Sequence, residues 1–246
     1  MTLEINKLTG GYLNFPVLKE VTFNVANGEL VGLIGLNGAG KSTTIKEIIG
    51  LLTPYSGEIK IDKLTLKDDL EAYRKKIGFI PEQPSLYEEL TLKEHIEVTA
   101  MAYDIPIELA MSRAEKLLAT FRLEDKLEWF PADFSKGMKQ KVMILCAFLT
   151  EPSLYIIDEP FLGLDPLAIN ALLELMLEMK AKGAAILMST HILSTAEKFC
   201  DRFIVLHEGH LIADGTIEEL RAQFGLPNQS LDEIYLHLTK VGGASA

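Results

Sequence analysis

The segment Gly35-Leu-Asn-Gly-Ala-Gly-Lys-Ser42 combines residue types that can hold phosphate groups. Its glycines let the backbone curl so that N–H groups point at phosphate oxygens, and Lys41 can reach the β- and γ-phosphates. Ser42 offers a hydroxyl to Mg²⁺ and opens a helix whose positive end faces the same anion. The apolar run at 30–34 is typical of a buried strand. The spacing predicts a nucleotide site formed by Gly35, Leu36, Asn37, Gly38, Ala39, Gly40, Lys41, Ser42 and Thr43.

A pair of acidic residues supplies the other half of such a site. Asp158 follows the apolar run Leu154-Tyr-Ile-Ile157, where a carboxylate that holds Mg²⁺ or its water shell is expected. Glu159 comes next and can accept a proton from a water that attacks the γ-phosphate, a role worth about 10²- to 10⁴-fold in rate. An acidic helix cap or a solvated turn is the alternative, and Lys41 upstream makes it the weaker one.

Composition narrows the class of protein that carries this site. The chain has 246 residues, of which 48% are hydrophobic, enough for one large α/β domain or two modest ones. Its formal net charge of -11 leaves no basic footprint for nucleic acid or anionic lipid. No apolar run approaches the roughly 18 to 20 residues that span a bilayer, and the N-terminus lacks the order of a signal peptide. We therefore expect no nucleic-acid partner, no direct membrane insertion, and membrane association only through another protein.

The periodicity of apolar residues indicates how the chain positions these groups. Residues 2–25 alternate between apolar and polar, which predicts antiparallel strands with one solvated face. From about 92 to 149 the spacing is helical, which predicts an α-helical insertion over about 85–150. A helical extension is expected over 231–246, with a frayed end from 242 on. Short apolar runs predict the strands of an α/β frame at residues 74–80, 154–157, 185–189, 203–207 and 211–214.

Taken in order, the motifs resemble the nucleotide-binding cassette of ABC transporters over nearly the whole chain. Phe134-Ser-Lys-Gly-Met-Lys-Gln140 resembles the family signature LSGGQ, and Gly163-Leu-Asp165 resembles the loop after the second carboxylate. Ser189-Thr-His191 matches the segment of the switch histidine, and Tyr12 stands where the family stacks a ring on adenine. The resemblance implies a P-loop NTPase fold of the α/β class over residues 1–230. This fold has a RecA-like mixed core, an N-terminal antiparallel β subdomain and an inserted α-helical subdomain.

The resemblance also implies a mechanism with ATP and Mg²⁺. Two cassettes would pair head to tail, with a homodimer as the expected form, and Ser135, Lys136 and Gly137 of one would cover the ATP held by the other. His191 would hydrogen-bond the γ-phosphate, and Asp165 would connect the two sites across the interface. Lys136 stands where the family has glycine, and a position in solvent is favoured over one near the γ-phosphate. Whether the partner cassette is a second copy or a relative stays open.

The chain departs from the family pattern after the strand expected at 74–80. The family has a glutamine there that contacts Mg²⁺ and water, whereas this chain has Pro81-Glu82-Gln83. Alignment on the proline gives Glu82 that position, with Gln83 beside it. Which of the two faces the metal is open at this stage.

A membrane subunit is the partner that the resemblance implies. The segment Pro84-Ser-Leu-Tyr-Glu-Glu-Leu-Thr91 would help form its docking groove, with Leu86 and Tyr87 as contacts or, equally, as packing residues of the insertion. The signature and the loop Phe161-Leu-Gly-Leu-Asp165 are similar to those of ATP-binding subunits of bacterial Ecs-type exporters. The expected function is ATP hydrolysis for a membrane exporter, on the cytoplasmic side of the membrane. A soluble ABC ATPase without transport, or a nucleotide-gated binding module with little turnover, is the alternative, and nothing in the chain indicates the cargo.

Overall fold

Two β-sheets organise the described part of the chain, one in the region where residues 2–25 predict antiparallel strands and one formed by the strands of the α/β frame. The computed structural model describes residues 1–13 and 15–242. The strands are β1 (Leu3–Tyr12), β2 (Phe15–Val25), β3 (Leu30–Ile34), β4 (Ser56–Ile61), β5 (Ile77–Ile80), β6 (Leu154–Asp158), β7 (Ala185–Ser189), β8 (Arg202–His207) and β9 (His210–Gly215). The helices are α1 (Lys41–Ile48), α2 (Leu70–Arg74), α3 (Leu92–Ala102), α4 (Ile107–Phe121), α5 (Lys136–Leu149), α6 (Pro166–Ala181), α7 (Leu193–Phe199), α8 (Ile217–Phe224) and α9 (Leu231–Gly242). Short 3-10 turns lie at Glu124–Lys126 and Pro131–Asp133.

The smaller sheet is antiparallel, with strand order β2-β1-β4. Buried and exposed side chains mostly alternate along β1 and along the second half of β2, so one face packs on the core and the other is solvated. This is the arrangement predicted for residues 2–25.

The larger sheet has the order β5-β6-β7-β3-β8-β9 and is parallel except for the β8–β9 hairpin. All side chains of β3, β6 and β7 are buried, because helices cover both faces of a parallel sheet. Ser189 at the end of β7 pairs with Leu33 on one side and Asp158 on the other. The carboxyl ends of these strands therefore meet at one edge, which is where α/β sheets bind ligands.

The predicted helical insertion is present as α3, α4 and α5. Their apolar faces share one core with the sheet, in which Ile96, Phe121 and Leu145 are packed together with Tyr155 and Ile157 of β6. The insertion is thus joined to the strand that carries Asp158, which confirms the α/β class with an inserted helical part.

One predicted strand is shorter than expected. The run at 74–80 forms a strand only from Ile77, because Arg74 is the last residue of α2. The side chain of Asp69 accepts a hydrogen bond from the N–H of Ala72 and so begins a helical turn that local alternation does not reveal. At the other end of the chain, the frayed tail expected from 242 on lies, from 243, outside the described residues.

Candidate nucleotide site

The phosphate loop lies between β3 and α1, as the sequence predicts. Gly40 caps α1 with a φ of 111°, and a Cβ there would lie 2.6 Å from the side chain of Leu18. The positive φ requires glycine here, whereas the contact with Leu18 is to the end of a flexible side chain. Lys41 is buried, and its Nζ donates hydrogen bonds to the carbonyls of Gly35 at 2.8 Å and Leu36 at 3.4 Å. The ammonium group is therefore held at the mouth of the loop.

Asp158 ends β6 directly across the sheet from Ser189. Its carboxylate accepts a hydrogen bond from the Ser189 hydroxyl. Burial raises the pKa of Asp158 above its usual range, the Ser189 hydrogen bond opposes this, and the nearby charge of Glu82 raises it further. A cation bound beside Asp158 would favour the ionised form of this carboxyl group. The electrostatics of the site are therefore suited to a bound cation.

Glu159 is hydrogen-bonded to the segment that carries His191. Its φ of 45° is a left-handed conformation, and its N–H donates to the Ser189 carbonyl at 3.1 Å. The Oε2 atom of Glu159 accepts from the His191 N–H at 3.2 Å and lies 2.7 Å from Nδ1 of the same residue. A carboxylate only accepts hydrogen bonds, so Nδ1 is the donor here.

These groups line one cavity of about 700 Å³. It is lined by Gly35, Leu36, Asn37, Lys41, Ser42, Glu82, Asp158, Glu159, Leu162, His191, Leu193, Asp232, Tyr235 and Leu236. The structure thus brings together the predicted loop, both carboxylates and the predicted histidine. Of the two candidates after Pro81, the residue in the cavity wall is Glu82.

Other predicted nucleotide residues lie outside this wall. Tyr12 is 42% exposed at the end of β1, and its hydroxyl accepts a 3.1 Å hydrogen bond from Lys46, whose Nζ lies 5.4 Å from the ring centroid. Its predicted stacking on adenine stays a prediction. Within the phosphate loop, Gly38, Ala39, Gly40 and Thr43 do not line the cavity; Ala39, Gly40 and Thr43 are buried and Gly38 is exposed.

The signature residues occupy a different place in the fold. Ser135 caps α5 by accepting a hydrogen bond from the N–H of Met138 at 3.3 Å, and Lys136 is exposed. A Cβ on Gly137 would lie 2.5 Å from the carbonyl oxygen of Gly163. Asp165 caps α6. Among the described residues, these signature positions and Asp165 are not part of the cavity wall around Lys41.

The cavity offers oxygen donors of the kind Mg²⁺ takes. These are the Ser42 hydroxyl and the carboxylates of Asp158 and Glu82. Within the described ranges, no three His, Cys, Asp or Glu side chains gather as a ready-made metal site. A metal here would therefore be held by few protein groups together with phosphate oxygens and water, which is the usual mode for Mg²⁺.

The sequence did not indicate that α9 would form part of this wall. Its helical pattern was predicted, but Asp232, Tyr235 and Leu236 belong to no phosphate-binding motif. The apolar stripe of α9 was the available signal, since it required a partner surface on the cassette.

A phosphate loop follows a buried inner strand, and one carboxylate ends another strand of the same sheet with a second directly after it. This arrangement defines a P-loop nucleotide hydrolase. The family model described as "ABC transporter" matches residues 18–162. The chain belongs to this family, as an ATP-binding subunit of a transporter complex and an ATPase. No helix in the described part of the chain has the length and apolarity needed to cross a bilayer.

Three known proteins illustrate the similarity. The chain is 61% identical over 238 residues to the ABC-type transporter ATP-binding protein EcsA of Bacillus subtilis (strain 168), covering 97% of this chain and 96% of that protein. A solved structure of the ATP-binding subunit of an ABC transporter has a TM-score of 0.95 at 61% identity and covers 97% of this chain and 100% of its own. A dimeric ATP-binding cassette in a post-hydrolysis state with ADP and Pi has a TM-score of 0.78 at 28% identity, over 87% of this chain and 98% of its own.

Proposed function

We propose that this chain hydrolyses MgATP at sites shared between two copies of itself, and that this cycle powers a membrane exporter of the Ecs type. The observation that carries the proposal is the separation of two sets of residues. Lys41, Asp158 and Glu159 line one cavity, whereas Ser135 and Gly137, at the start of α5, do not line it. A second cassette, turned head to tail, supplies the signature face that a single chain does not bring to its own cavity.

Within the shared site each residue has a distinct task. The N–H groups of the phosphate loop and Lys41 bind the β- and γ-phosphates. When bound, Mg²⁺ neutralises charge on those phosphates, and Ser42, Asp158 and Glu82 are the residues that hold it. Glu159 takes the proton of the attacking water. His191, fixed by Glu159, donates to the γ-phosphate and loses that contact when Pi leaves.

The helical insertion is the proposed docking surface for the membrane subunit. Of the two candidate contacts, Leu86 packs partly against the helical core, whereas Tyr87 is 64% exposed. Met101 on α3 is also exposed, at 69%. We assign Tyr87 to the contact surface and Leu86 to its support. Attachment through a partner would place the cassette on the cytoplasmic side of the membrane, as the resemblance to Ecs-type subunits implies.

Dimerisation tests the proposal most directly. In the Glu159→Gln background, MgATP should convert the chain from monomer to dimer in light scattering, whereas MgADP should not. Adding Gly137→Glu should abolish the dimer but leave binding of ATP to the monomer intact, because the signature belongs to the partner's site. A Glu159→Gln protein that stays monomeric while saturated with MgATP would contradict the shared site.

Co-purification distinguishes a transporter subunit from a soluble ATPase. Extracted in mild detergent from cells that make its natural neighbours, the chain should be recovered with a multi-span membrane protein. Tyr87→Glu should release that protein and leave the ATPase rate of the isolated cassette unchanged. Recovery without any membrane protein would favour the soluble alternative.

A further inference from the structure

The C-terminal helix α9 contacts the phosphate loop directly. The N–H of Leu36 donates a 2.6 Å hydrogen bond to the hydroxyl of Tyr235. Asp232, Tyr235 and Leu236 line the same cavity as Lys41. One wall of the nucleotide cavity is therefore made by a helix that lies outside the motifs of the site.

Helix α9 is firmly attached where it makes this contact. Leu231 and Ile234 are fully buried and share a core with Ile34, the last residue before the phosphate loop. The N–H of Leu231 donates to one carboxylate oxygen of Glu197 at 2.9 Å, and Arg221 donates to the other at 3.0 Å. Glu197 lies on α7, so a single carboxylate joins α7, α8 and α9. The Tyr235 hydroxyl is thereby held at a fixed position relative to β3.

The hydrogen bond between Leu36 and Tyr235 involves a peptide group whose N–H and carbonyl are both hydrogen-bonded. The N–H of Leu36 and the carbonyl of Gly35 belong to the same planar peptide unit. Tyr235 accepts from the N–H, and Lys41 donates to the carbonyl at 2.8 Å. The side chain of Leu36 is 58% exposed, so packing does little to hold this turn of the loop. If Lys41 leaves the Gly35 carbonyl to engage phosphates, the hydrogen bond from Leu36 to Tyr235 remains on this peptide.

We propose that Tyr235 is a positioning residue of the nucleotide site, whose hydroxyl keeps the Gly35–Leu36 peptide oriented while Lys41 engages the phosphates. The inference rests on the proposal that this loop and Lys41 bind ATP. It gives α9 a task in ATP binding that is separate from its packing. A fixed loop loses less entropy when ATP binds. Loss of the Tyr235 hydroxyl should therefore weaken ATP binding and leave the rate of the chemical step unchanged.

Tyr235→Phe tests this, because it removes the hydroxyl and keeps the ring. We expect the KM for MgATP to rise about three- to tenfold, the range of one hydrogen bond, with kcat within about twofold of the original. Amide hydrogen exchange at Leu36, followed without nucleotide, should become faster. Tyr103→Phe is the matched control, since it removes a tyrosine hydroxyl that donates to the Ile77 carbonyl at 2.7 Å, and neither residue lines the cavity. It should leave both readouts unchanged.

A further variant separates this inference from the assignment of the site. Lys41→Ala should abolish measurable ATP binding. If it does, and Tyr235→Phe leaves KM and Leu36 exchange as in the original protein, the positioning role is overturned. Equal effects of Tyr235→Phe and Tyr103→Phe would also overturn it. Undiminished ATP binding by Lys41→Ala would instead overturn the assignment of the phosphate loop, and this inference with it.

Discussion

Lys141 donates a 2.9 Å hydrogen bond to the Oδ2 atom of Asp165. Lys141 lies on α5, the helix that begins with the signature residues, and Asp165 caps α6 after the loop of Gly163. The ion pair therefore fixes the signature helix to the loop that would face a partner cassette. The other oxygen of Asp165 accepts from the Ala168 N–H at 2.8 Å, so this one carboxylate has two separable roles.

Two substitutions at Asp165 separate these roles. Asp165→Asn keeps an oxygen for the helix cap but loses the charge, whereas Asp165→Ala loses both. We expect Asp165→Ala to lower the free energy of unfolding by about 1 kcal/mol, the usual value of a helix cap, and Asp165→Asn to lower it by less. If Asp165 links the two sites, both should slow ATP turnover to a similar extent. Denaturant titration and ATPase rates measure the two effects, and a loss of turnover confined to Asp165→Ala would assign the residue to capping alone.

The Asp165 carboxylate makes the stability of the fold depend on pH in a defined direction. The hydrogen bond from Ala168 and then that from Lys141 lower the pKa of Asp165 below its usual value. A lowered pKa in the folded state adds stability above the ordinary aspartate pKa, and this contribution is lost as the pH falls through the lowered value. Lys141→Met should weaken this acid sensitivity, as unfolding curves at several acidic pH values would record. Curves identical to those of the original protein would show that the pair makes no contribution.

Glu159→Gln should separate binding from hydrolysis. The amide keeps the size of the carboxylate but accepts no proton, so turnover should fall about 10²- to 10⁴-fold while ATP still binds. Single-turnover measurements with excess protein would assign the loss to the chemical step. Unchanged turnover would remove Glu159 from the role of base. Glu89→Gln, at an exposed position outside the cavity, is the control.

Glu82 and Gln83 can be distinguished by their effect on the need for Mg²⁺. Glu82 lines the cavity, and its charge contributes to the raised pKa of Asp158. Glu82→Ala should therefore raise the Mg²⁺ concentration needed for half-maximal ATPase activity by about tenfold or more, as expected for a group that supports a metal. Glu82→Gln, which restores the family residue, should remain active. A larger effect of Gln83→Ala than of Glu82→Ala would assign the metal contact to Gln83.

Sequence patterns predicted the phosphate loop, the buried strands and the helical insertion, because each depends on local spacing or on a period set by backbone geometry. They did not predict the contact between Leu36 and Tyr235, since the two residues are 199 positions apart and meet only after the C-terminal core has formed. They also placed the start of β5 too early, because the cap made by Asp69 competes with the strand. The features that escaped prediction are thus tertiary contacts and local capping, which hydrophobic periodicity does not encode.

Gly137→Ala should impair the signature through its contact with Gly163. The added Cβ would lie 2.5 Å from a backbone oxygen, so the loop before Asp165 has to move. We expect slower turnover, and in the Glu159→Gln background a weaker ATP-induced dimer, with unchanged binding of ATP by the monomer. Lys136→Ala, at an exposed neighbouring position, should have a much smaller effect. A comparable loss in Lys136→Ala would place that side chain near the partner's γ-phosphate.

Glu47, on helix α1 after the phosphate loop, should make the stability of the protein depend on pH. Its side chain is fully buried, and neither carboxylate oxygen has a hydrogen-bond partner among the described residues. Burial raises the pKa of Glu47 from 4.5 to about 7. The folded state therefore holds this proton more tightly than the unfolded chain does. Its contribution to stability is fully present below pH 4.5 and is lost as the pH rises through about 7.

Removing the titrating group at position 47 should remove that pH dependence. Between about pH 6 and about pH 8, the free energy of unfolding of the original protein should fall by on the order of 1 kcal/mol more than that of Glu47→Gln. Glu47→Met, which fills the same space without a carboxyl group, should be the more stable protein at the higher pH, because no charge is then buried. Glu89→Gln should retain the original slope. Parallel pH profiles for Glu47→Gln and the original protein would mean that Glu47 does not titrate in this range.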